Sequence, residues 1–198
     1  METAGPGRPR DPQVDRAVLQ ATVELLVETG YQKTTIQAIA RRAQVSAPAI
    51  YRRWATREMI IEDAIFGLQE GDQVPLPPPT DDLRADLLAW TRTFLDRTAH
   101  PAARSAIPGL LSAYHHHAGV HERLVQRAEV PTRAALVERV LAAVPNPDAQ
   151  AEATAAVVFD MLVASTMIRG VSLGYDGADE WCEHIADALH ALIGTLGR

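Results

Sequence analysis

Apolar side chains in the first third of the chain recur every three or four residues, the spacing that places them on one face of a helix. The first such pattern begins at Pro12 and ends at Thr29-Gly30, where a glycine suits the left-handed conformation that commonly follows a helix. A second pattern begins at Thr34, and a third follows Ser46. These short, closely spaced helices are expected to share one small core.

The second and third patterns are separated by a turn too tight for either helix to pack independently. Thr34 and Gln37 have the S/T-x-x-E/Q spacing of a capping box, which predicts the start of the second helix. Ser46 supplies an oxygen that can cap the third helix, and Pro48 falls in its first turn, where a missing amide costs little. The spacing predicts a helix-turn-helix unit whose second helix enters a DNA major groove.

The outer face of the third helix carries side chains suited to contacting DNA. Ala49, Ile50 and Trp54 form its inner face, which leaves Ala47, Tyr51, Arg52 and Arg53 to project outward. Small groups at positions 47 to 49 let the backbone approach base edges, Arg52 can bond guanine, and Tyr51 and Arg53 are expected to hold phosphates. The predicted contacts in this unit are Thr35, Gln37, Ser46, Ala47, Pro48, Ala49, Tyr51, Arg52 and Arg53. The alternative is a pair of amphipathic helices that binds nothing.

Two further basic segments are candidates for DNA contact. Arg8 and Arg10 lie in residues 1–11, whose Gly and Pro content predicts a flexible arm that either enters a minor groove or stays solvated. Thr56 and Glu58 predict the start of a fourth helix. Arg57, between them, is either a phosphate contact at the N-terminus of that helix or a solvated charge.

Several short motifs follow one another in a fixed order between residues 12 and 69. They are Gly30-Tyr31, Thr35 with Ile39-Ala40, Val45-Ser46, Ile50-Tyr51, Trp54 and Arg57-Glu58. In this order they resemble the N-terminal domain of TetR-family transcriptional regulators. Gln44 replaces the usual turn glycine of the family, at a cost of about 1 kcal/mol if the residue is left-handed, and Trp54 replaces the more usual Phe. The resemblance implies an all-helical homodimer that binds an operator with this domain and releases it when a small molecule binds the rest of the chain.

The rest of the chain is predicted to form a second all-helical domain. Residues 71–81 include the run from Val74 to Pro79, whose four prolines predict an extended connector. The predicted DNA-binding domain is therefore 12–70, including the start of the fourth helix, and the effector-binding and dimerisation domain is 82–198. Further helices are predicted at about 82–99, 101–112, 120–144 with a kink at Pro131, from 148 onward, and 179–196.

The helix that begins at Asp148 is apolar on nearly every side, so it must be covered all round. We expect one face to meet the core of its own chain and the other to meet a partner chain. The resemblance implies that this helix and the final one pair with their copies in a dimer. The residues expected at that interface are Trp181, Ile185, Leu189 and Leu192.

Asp160 is a charge within that apolar helix, so it is expected to be paired, exposed or at a functional cavity. One hypothesis is a satisfied structural ion pair. The other places Asp160 in an effector pocket with Trp90, Phe94 and Tyr114, which favours a cationic, partly planar ligand.

A histidine cluster raises the question of a metal site. It consists of His115, His116, His117 and His121. Consecutive residues on a helix point about 100° apart, so at most two of the first three can share one ion. A solvated loop is the simpler interpretation, and no metal or cofactor is predicted.

Composition and charge refine this picture. The net charge of −6 argues against a nucleic-acid partner, but residues 1–60 hold nine basic and six acidic residues, or +3, and residues 61–198 hold ten and nineteen, or −9. A basic head on an acidic body can dock on phosphates. No apolar run reaches the roughly 18 residues of a membrane span, and the single Cys182 excludes an intrachain disulfide, so we expect a cytoplasmic protein without a membrane partner.

No catalytic motif is present, so the chain is not expected to be an enzyme. The sequence predicts a dimeric, ligand-responsive transcriptional regulator, a repressor, which binds a roughly palindromic double-stranded DNA operator and is released by an unknown small molecule. The alternative is a helical ligand-binding or sequestering protein without specific operator recognition.

Overall fold

The computed structural model describes residues 12–67, 76–115 and 118–194, and most of these residues are helical. The α-helices are α1 Pro12–Thr29, α2 Ile36–Arg42, α3 Ala47–Tyr51, α4 Arg57–Phe66, α5 Leu83–Ala99, α6 Pro101–Tyr114, α7 Ala118–Leu124, α8 Val130–Ala143, α9 Ala149–Leu173 and α10 Ala178–Gly194. A 3-10 turn covers Tyr31–Lys33, and a π-helical segment, Val125–Glu129, joins α7 to α8. Strands are absent from the described ranges, and the predicted all-α class is confirmed. Arg8 and Arg10 lie outside these ranges.

The first four helices enclose a core of their own. Val18 of α1, Ile39 of α2, Ile50 of α3 and Ile60 of α4 are buried in it, together with Trp54, which follows α3. All four helices contribute because each is too short to bury its apolar face alone. This unit, α1 to α4, is called the head below.

Ser46 and Thr56 start α3 and α4 as the sequence predicts. The Ser46 side chain accepts a hydrogen bond from the amide of Ala49 at 3.3 Å, and Thr56 accepts one from the amide of Met59 at 3.2 Å. Each cap satisfies a main-chain donor that the helix leaves without a partner. Pro48 lies in the first turn of α3, as expected.

The start of α2 differs from the prediction by one residue. Thr35 caps the helix and accepts a hydrogen bond from the amide of Ala38 at 3.1 Å. Thr34 is buried and donates its hydroxyl to the carbonyl of Gly30 at 2.9 Å. The predicted capping box of Thr34 and Gln37 is therefore wrong, because the Thr34 side chain closes the preceding 3-10 turn.

Gln44 occupies the turn between α2 and α3 with a φ of +56°. This is the left-handed conformation that a glycine adopts without a steric cost. After it, the amide of Val45 donates to the carbonyl of Ala40 at 3.0 Å, which ends α2 and directs the chain into α3.

The second domain is built around α9, which packs against α5, α8 and α10. Its inner face buries Val158, Phe159 and Leu162, which share a core with Leu87 and Trp90 of α5. By length and composition alone α9 could cross a membrane, a property it shares with core helices of other folds. Its packing on three neighbouring helices is that of a core helix.

Pro131 disrupts the helix that contains it, as predicted. The π-helical segment Val125–Glu129 lies immediately before α8, and Pro131 is in the first turn of α8. A proline lacks the amide that would bond to the carbonyl four residues earlier, and its ring crowds that carbonyl. The wider π turn accommodates both effects, so the helical segment continues without a break from α7 into α8.

The outer face of α9 is exposed in the single chain. Val157, Met161 and Ile168 are 48%, 49% and 65% exposed, and Ala164 between them is also exposed. These four positions follow the alternating four- and three-residue spacing of a helix that packs along one seam. The prediction that one face of this helix meets the core of its own chain is confirmed.

Of the four residues predicted for the dimer interface on α10, Leu189 faces the core of its own chain. Leu189 is only 2% exposed and belongs to the core shared by α5 and α9, so the prediction that it lies at the interface is wrong. Trp181, Ile185 and Leu192 are half-buried and pack against the same chain. For these three residues a place at the dimer interface stays a prediction.

Candidate DNA-binding face and ligand cavity

The outer surface of α2 and α3 presents polar and small side chains to solvent. Tyr51 is 52% exposed. Thr35, Gln37, Ser46, Pro48 and Arg52 are also exposed, and Ala47 and Ala49 are half-buried. The side-chain oxygens of Thr35 and Ser46 accept the hydrogen bonds that cap the N-termini of α2 and α3. The exposed donors on this face include the Arg52 guanidinium and the Gln37 amide, groups that bond base edges and phosphates.

Arg53 does not project outward, and this part of the prediction is wrong. Its side chain is only 13% exposed and forms an ion pair with Asp15 of α1. The same guanidinium donates to the carbonyl of Ala49 at 3.2 Å. Arg53 follows the last turn of α3, so its side chain reaches back to α1 and fixes the angle between the two helices.

Arg57 is likewise engaged within the chain and is not a solvated charge. Its Nε and Nη2 donate to Glu58 at 3.1 and 3.0 Å, and its Nη1 donates to the carbonyl of Tyr31 at 3.3 Å. The guanidinium carbon lies 4.3 Å from the centroid of the Tyr31 ring. These contacts join the start of α4 to the 3-10 turn between α1 and α2.

The second domain contains a partly open cavity of about 250 Å³. Its lining is mostly apolar and includes Phe94 of α5 and Phe159 of α9, whose rings meet edge to face at 6.3 Å. Tyr114 of α6 and Arg97 of α5 supply polar groups to the wall. Phe66, the last residue of α4, also lines the cavity. The cavity therefore contacts the helix that leaves the DNA-binding head.

Two of the predicted pocket residues lie elsewhere. Trp90 is 5% exposed and belongs to the core between α5 and α9. The Asp160 side chain is 61% exposed and accepts a hydrogen bond from Arg133 at 2.5 Å. Placing Asp160 at the cavity was wrong because it follows the inward-facing Phe159 on α9 and points to the opposite side. Phe94 and Tyr114 do line the cavity.

A buried carboxylate on α4 connects the cavity wall to the head. Glu62 is 0% exposed and accepts a hydrogen bond from the Tyr114 hydroxyl at 2.9 Å and another from Arg123 at 3.2 Å. Burial raises the pKa of Glu62 to about 7, against the hydrogen bond from Tyr114 and the charge of Arg123, which lower it, while Asp63 contributes a smaller increase. Tyr114 thus contacts the cavity and the head at once.

The next residue, Asp63, completes this contact. Its Oδ2 accepts a hydrogen bond from the indole Nε1 of Trp54 at 2.7 Å. Its Oδ1 accepts hydrogen bonds from Arg123 at 2.5 Å and from Arg127 at 3.4 Å. Arg123 therefore spans both carboxylates, and any displacement of α7 relative to α4 has to break a buried, charge-assisted bond.

The histidines of the α6–α7 junction are only partly described. The His121 ring lies beside the Tyr114 ring, tilted by 36° with centroids 4.8 Å apart, and His121 lines the cavity. His116 and His117 lie outside the described residues. Within the described ranges, no three His, Cys, Asp or Glu side chains are grouped so as to hold a metal ion.

Sequence reasoning missed the residues that join the two domains. Glu62 and Asp63 fall inside the apolar stripe of α4. Two adjacent acidic residues there were a signal that their carboxylates are buried and paired with basic side chains. Their partners Arg123 and Arg127 lie about sixty residues away along the chain, a separation that no local pattern spans.

Two family models match the chain. Residues 18–64 match the model of bacterial regulatory proteins of the tetR family, and residues 77–189 match the tetracyclin repressor-like C-terminal domain. The second match alone covers more than half of the 198 residues. The two matched ranges correspond to the head and to the domain that contains the cavity.

Curated relatives are similar along much of the chain. An HTH-type transcriptional regulator of Mycobacterium tuberculosis, Rv1556, is 29% identical over 170 residues, which are 83% of this chain and 81% of the relative. A DNA-binding transcriptional repressor TetR of Mycobacteroides abscessus is 30% identical over 106 residues, 50% of this chain and 52% of that protein.

Solved structures share the fold. The TetR family transcription regulator SCO0332 has a TM-score of 0.64 and 26% identity, covering 90% of this chain and 97% of that one. BioQ with its double-stranded DNA operator has a TM-score of 0.56 and 18% identity, covering 89% and 98%, and this likeness concerns the fold alone. Together with the helix-turn-helix geometry and both family models, these findings show that the chain belongs to the TetR family of helix-turn-helix transcriptional regulators.

Proposed function

We propose that the protein is a homodimeric repressor that binds a roughly palindromic operator and releases it when a small molecule fills the cavity. The observation that carries this proposal is the buried contact from the cavity wall to the head, in which Tyr114 bonds Glu62 and Asp63 bonds Trp54. Such a regulator would act in the cytoplasm, where it meets chromosomal DNA.

The proposed DNA contacts are the exposed side chains of α2 and α3. In this assignment Arg52 reads a base edge, and Tyr51 and Gln37 hold phosphate or base groups. Thr35, Ser46, Ala47, Pro48 and Ala49 bring the helix starts close to the duplex, and Arg8 and Arg10 add a basic arm. Because the guanidiniums of Arg53 and Arg57 bond within the chain, we assign them to holding the helices in position.

The proposed dimer forms through the outer face of α9. Val157, Met161, Ala164 and Ile168 make an apolar seam about three turns long, which a second copy of the same seam can cover around a two-fold axis. Two heads related by this two-fold axis would contact DNA half-sites about one helical turn apart. Because the same axis relates the two half-sites, the operator is expected to be roughly palindromic.

The proposed release is a shift between two arrangements of α4. A ligand that contacts Phe66 and Tyr114 differently in the two arrangements favours one of them. Because Asp63 holds Trp54 at the end of α3, the displacement of α4 moves the recognition helix and changes the separation of the two heads. Simultaneous contact with both half-sites is then lost.

Operator binding tests the DNA part of the proposal. Sites selected from randomised duplex DNA are titrated by fluorescence anisotropy at several salt concentrations. We expect enrichment of a palindrome and an affinity that falls steeply with salt, because phosphate contacts release counterions. Arg52→Ala should relax the base preference, whereas Arg92→Ala, an exposed arginine on α5, should leave it unchanged. The absence of any enriched site would favour a sequestering protein instead.

A further inference from the structure

The hydroxyl groups in the wall of the cavity already donate their protons within the chain. The hydroxyls of Thr98, Thr132 and Thr166 line the cavity, and each donates to a main-chain carbonyl, at 2.9, 2.5 and 2.7 Å. The Tyr114 hydroxyl donates to the carboxylate of Glu62 at 2.9 Å. Because a hydroxyl oxygen keeps its lone pairs when its proton is used, these four oxygens can still accept a hydrogen bond from a ligand.

The charged side chains of the wall also have partners within the chain. Glu129 lines the cavity, and Arg133 donates to its carboxylate at 2.9 Å. Arg97 lines the cavity from α5 and likewise interacts with another group of the chain. His121 is exposed to solvent at the edge of the cavity. The half-buried charges of the described wall, Glu129 and Arg97, are therefore compensated before a ligand arrives.

The rest of the described lining is apolar. Phe94 and Phe159 meet edge to face at 6.3 Å, and the other apolar residues include Leu110, Val163 and Met167. A charged group that enters this space loses its water and finds no charge without a partner. It avoids that cost only at the opening, where it leaves the interior unfilled. An uncharged apolar molecule instead gains free energy by leaving water.

We infer that the effector is an uncharged, mostly apolar molecule, selected by a wall whose charges and hydroxyl protons are already paired. The inference rests on the proposed function, in that it identifies the chemical class of the molecule that fills the same cavity. The cationic effector that the sequence suggested required Asp160 in the pocket, but the Asp160 side chain is 61% exposed and bonds Arg133. The volume of about 250 Å³ lies below the roughly 300–1,000 Å³ of sites for drug-sized ligands. A medium-chain alcohol or a two-ring aromatic alcohol suits this space.

Calorimetric titration of the full chain without DNA tests the inference. The probes are two matched sets, octan-1-ol with octanoate and octylammonium, and 2-naphthalenemethanol with 2-naphthoate and 2-naphthylmethylammonium. Within a set the apolar body is shared and the head group is neutral, anionic or cationic. We expect at least one alcohol to bind at least tenfold more tightly than both of its charged counterparts, because burial of an unpaired charge is unfavourable.

A variant that unbalances the wall tests the cause of this preference. Arg133→Met leaves the Glu129 carboxylate without its partner, so the affinity for the ammonium probe should rise at least threefold relative to the alcohol. Arg133→Gln serves the same purpose if the Met variant fails to fold. Arg92→Met is the matched control, because Arg92 is an exposed arginine that bonds Glu183 at 3.2 Å on the surface of α5. It should leave the ratio of the two affinities unchanged.

A second variant locates the binding site. Ala128→Trp narrows the cavity and should abolish binding of the alcohols. Val163→Trp narrows the cavity from α9 and replaces it if the first variant fails to fold.

The outcomes separate the two proposals. A preference for the alcohol that Arg133→Met weakens supports the inference even if the alcohol fails to release the operator, and in that case only the proposed function is contradicted. Three results overturn the inference: a charged probe that binds as tightly as its alcohol, a preference that Arg133→Met leaves unchanged, or no binding by any probe. Operator release by a charged compound would then still support the proposed function.

Discussion

Trp54 and Asp63 are joined by a buried hydrogen bond of 2.7 Å, in which the indole N–H donates to the carboxylate. Trp54 directly follows the recognition helix α3, and Asp63 lies on α4. Arg123 of α7 reaches the other oxygen of the same carboxylate at 2.5 Å. Asp63 is therefore one of the residues that join the DNA-binding head to the ligand-binding domain.

Removal of the indole donor should weaken this junction. Trp54→Phe deletes the N–H and leaves Asp63 with one fewer partner, so we expect a loss of about 1–3 kcal/mol in the free energy of unfolding, measured by urea titration. Asp63→Asn keeps an acceptor but removes the charge. The double variant should show a coupling of about 1 kcal/mol or more between the two sites. Strictly additive effects would contradict a direct Trp54–Asp63 interaction.

A close approach between α6 and the 3-10 turn should not tolerate a methyl group. A Cβ built on Gly109 would lie 2.3 Å from a carbon of the Tyr31 ring and 2.6 Å from the Cγ at its base, so rotation of the ring cannot relieve the clash. We expect Gly109→Ala to destabilise the chain by about 1–3 kcal/mol in thermal or urea unfolding.

Gly119→Ala is the matched control for this variant. No heavy atom lies within 4 Å of a Cβ at Gly119, which is also helical, so the alanine should stabilise by about 0.5–1 kcal/mol. If both alanines stabilise the chain, then Gly109 is not the point at which α6 and the head come into contact.

The local parts of the fold could be predicted from sequence because short-range chemistry determines them. Ser46, Thr56 and Pro131 act on the few residues around them, and each has the predicted effect. The left-handed conformation of Gln44 could also be predicted, because its position in the turn requires a positive φ. The predicted start of α2 was wrong by one residue, because the buried hydroxyl of Thr34 donates to the carbonyl of Gly30 and does not cap the helix.

The parts that failed depend on which helices pack together. α9 and α10 both carry apolar residues on more than one side, and the pattern alone does not decide which side faces a partner. Leu189 turned out to be core, whereas Val157 and Ile168 are exposed. Asp160 likewise could be placed only after the inner face of α9 was known, and Glu62 only after Arg123 was found beside it.

The burial of Glu62 should make stability depend on pH. Its pKa is raised from 4.5 to about 7 in the folded chain, so the folded state binds a proton more tightly than the unfolded state. The corresponding stabilisation is fully present below pH 4.5 and is lost as pH rises through 7, for a change of about 3 kcal/mol. Urea unfolding at pH 5, 6 and 7.5 should show this decline in the wild type.

Glu62→Gln should remove that contribution, because glutamine does not titrate, and the difference between wild type and variant should shrink or change sign as pH falls. Glu152→Gln is the control, since Glu152 is exposed in the first turn of α9. Parallel pH dependences for wild type and Glu62→Gln would show that Glu62 keeps an ordinary pKa.

A charge on the outer face of α9 should dissociate the proposed dimer. In a two-fold interface Val157→Glu introduces two desolvated carboxylates, one from each copy, so sedimentation velocity should show a monomer at concentrations where the wild type is a dimer. Val27→Glu is a matched control, because Val27 is an equally exposed helical valine, at 52% against 48%, but lies on α1. A dimer in both variants would place the interface elsewhere.

Coupling between the cavity and the operator is tested most directly by an anisotropy titration of labelled operator with the cavity empty and then saturated. Saturation is established separately by calorimetry on the same protein. We predict that a bound ligand raises the operator Kd by about tenfold or more, within the usual range of allosteric coupling, and that Tyr114→Phe, which removes the hydroxyl bonded to Glu62, reduces that ratio. An operator Kd that stays unchanged while the cavity is fully occupied would contradict the account.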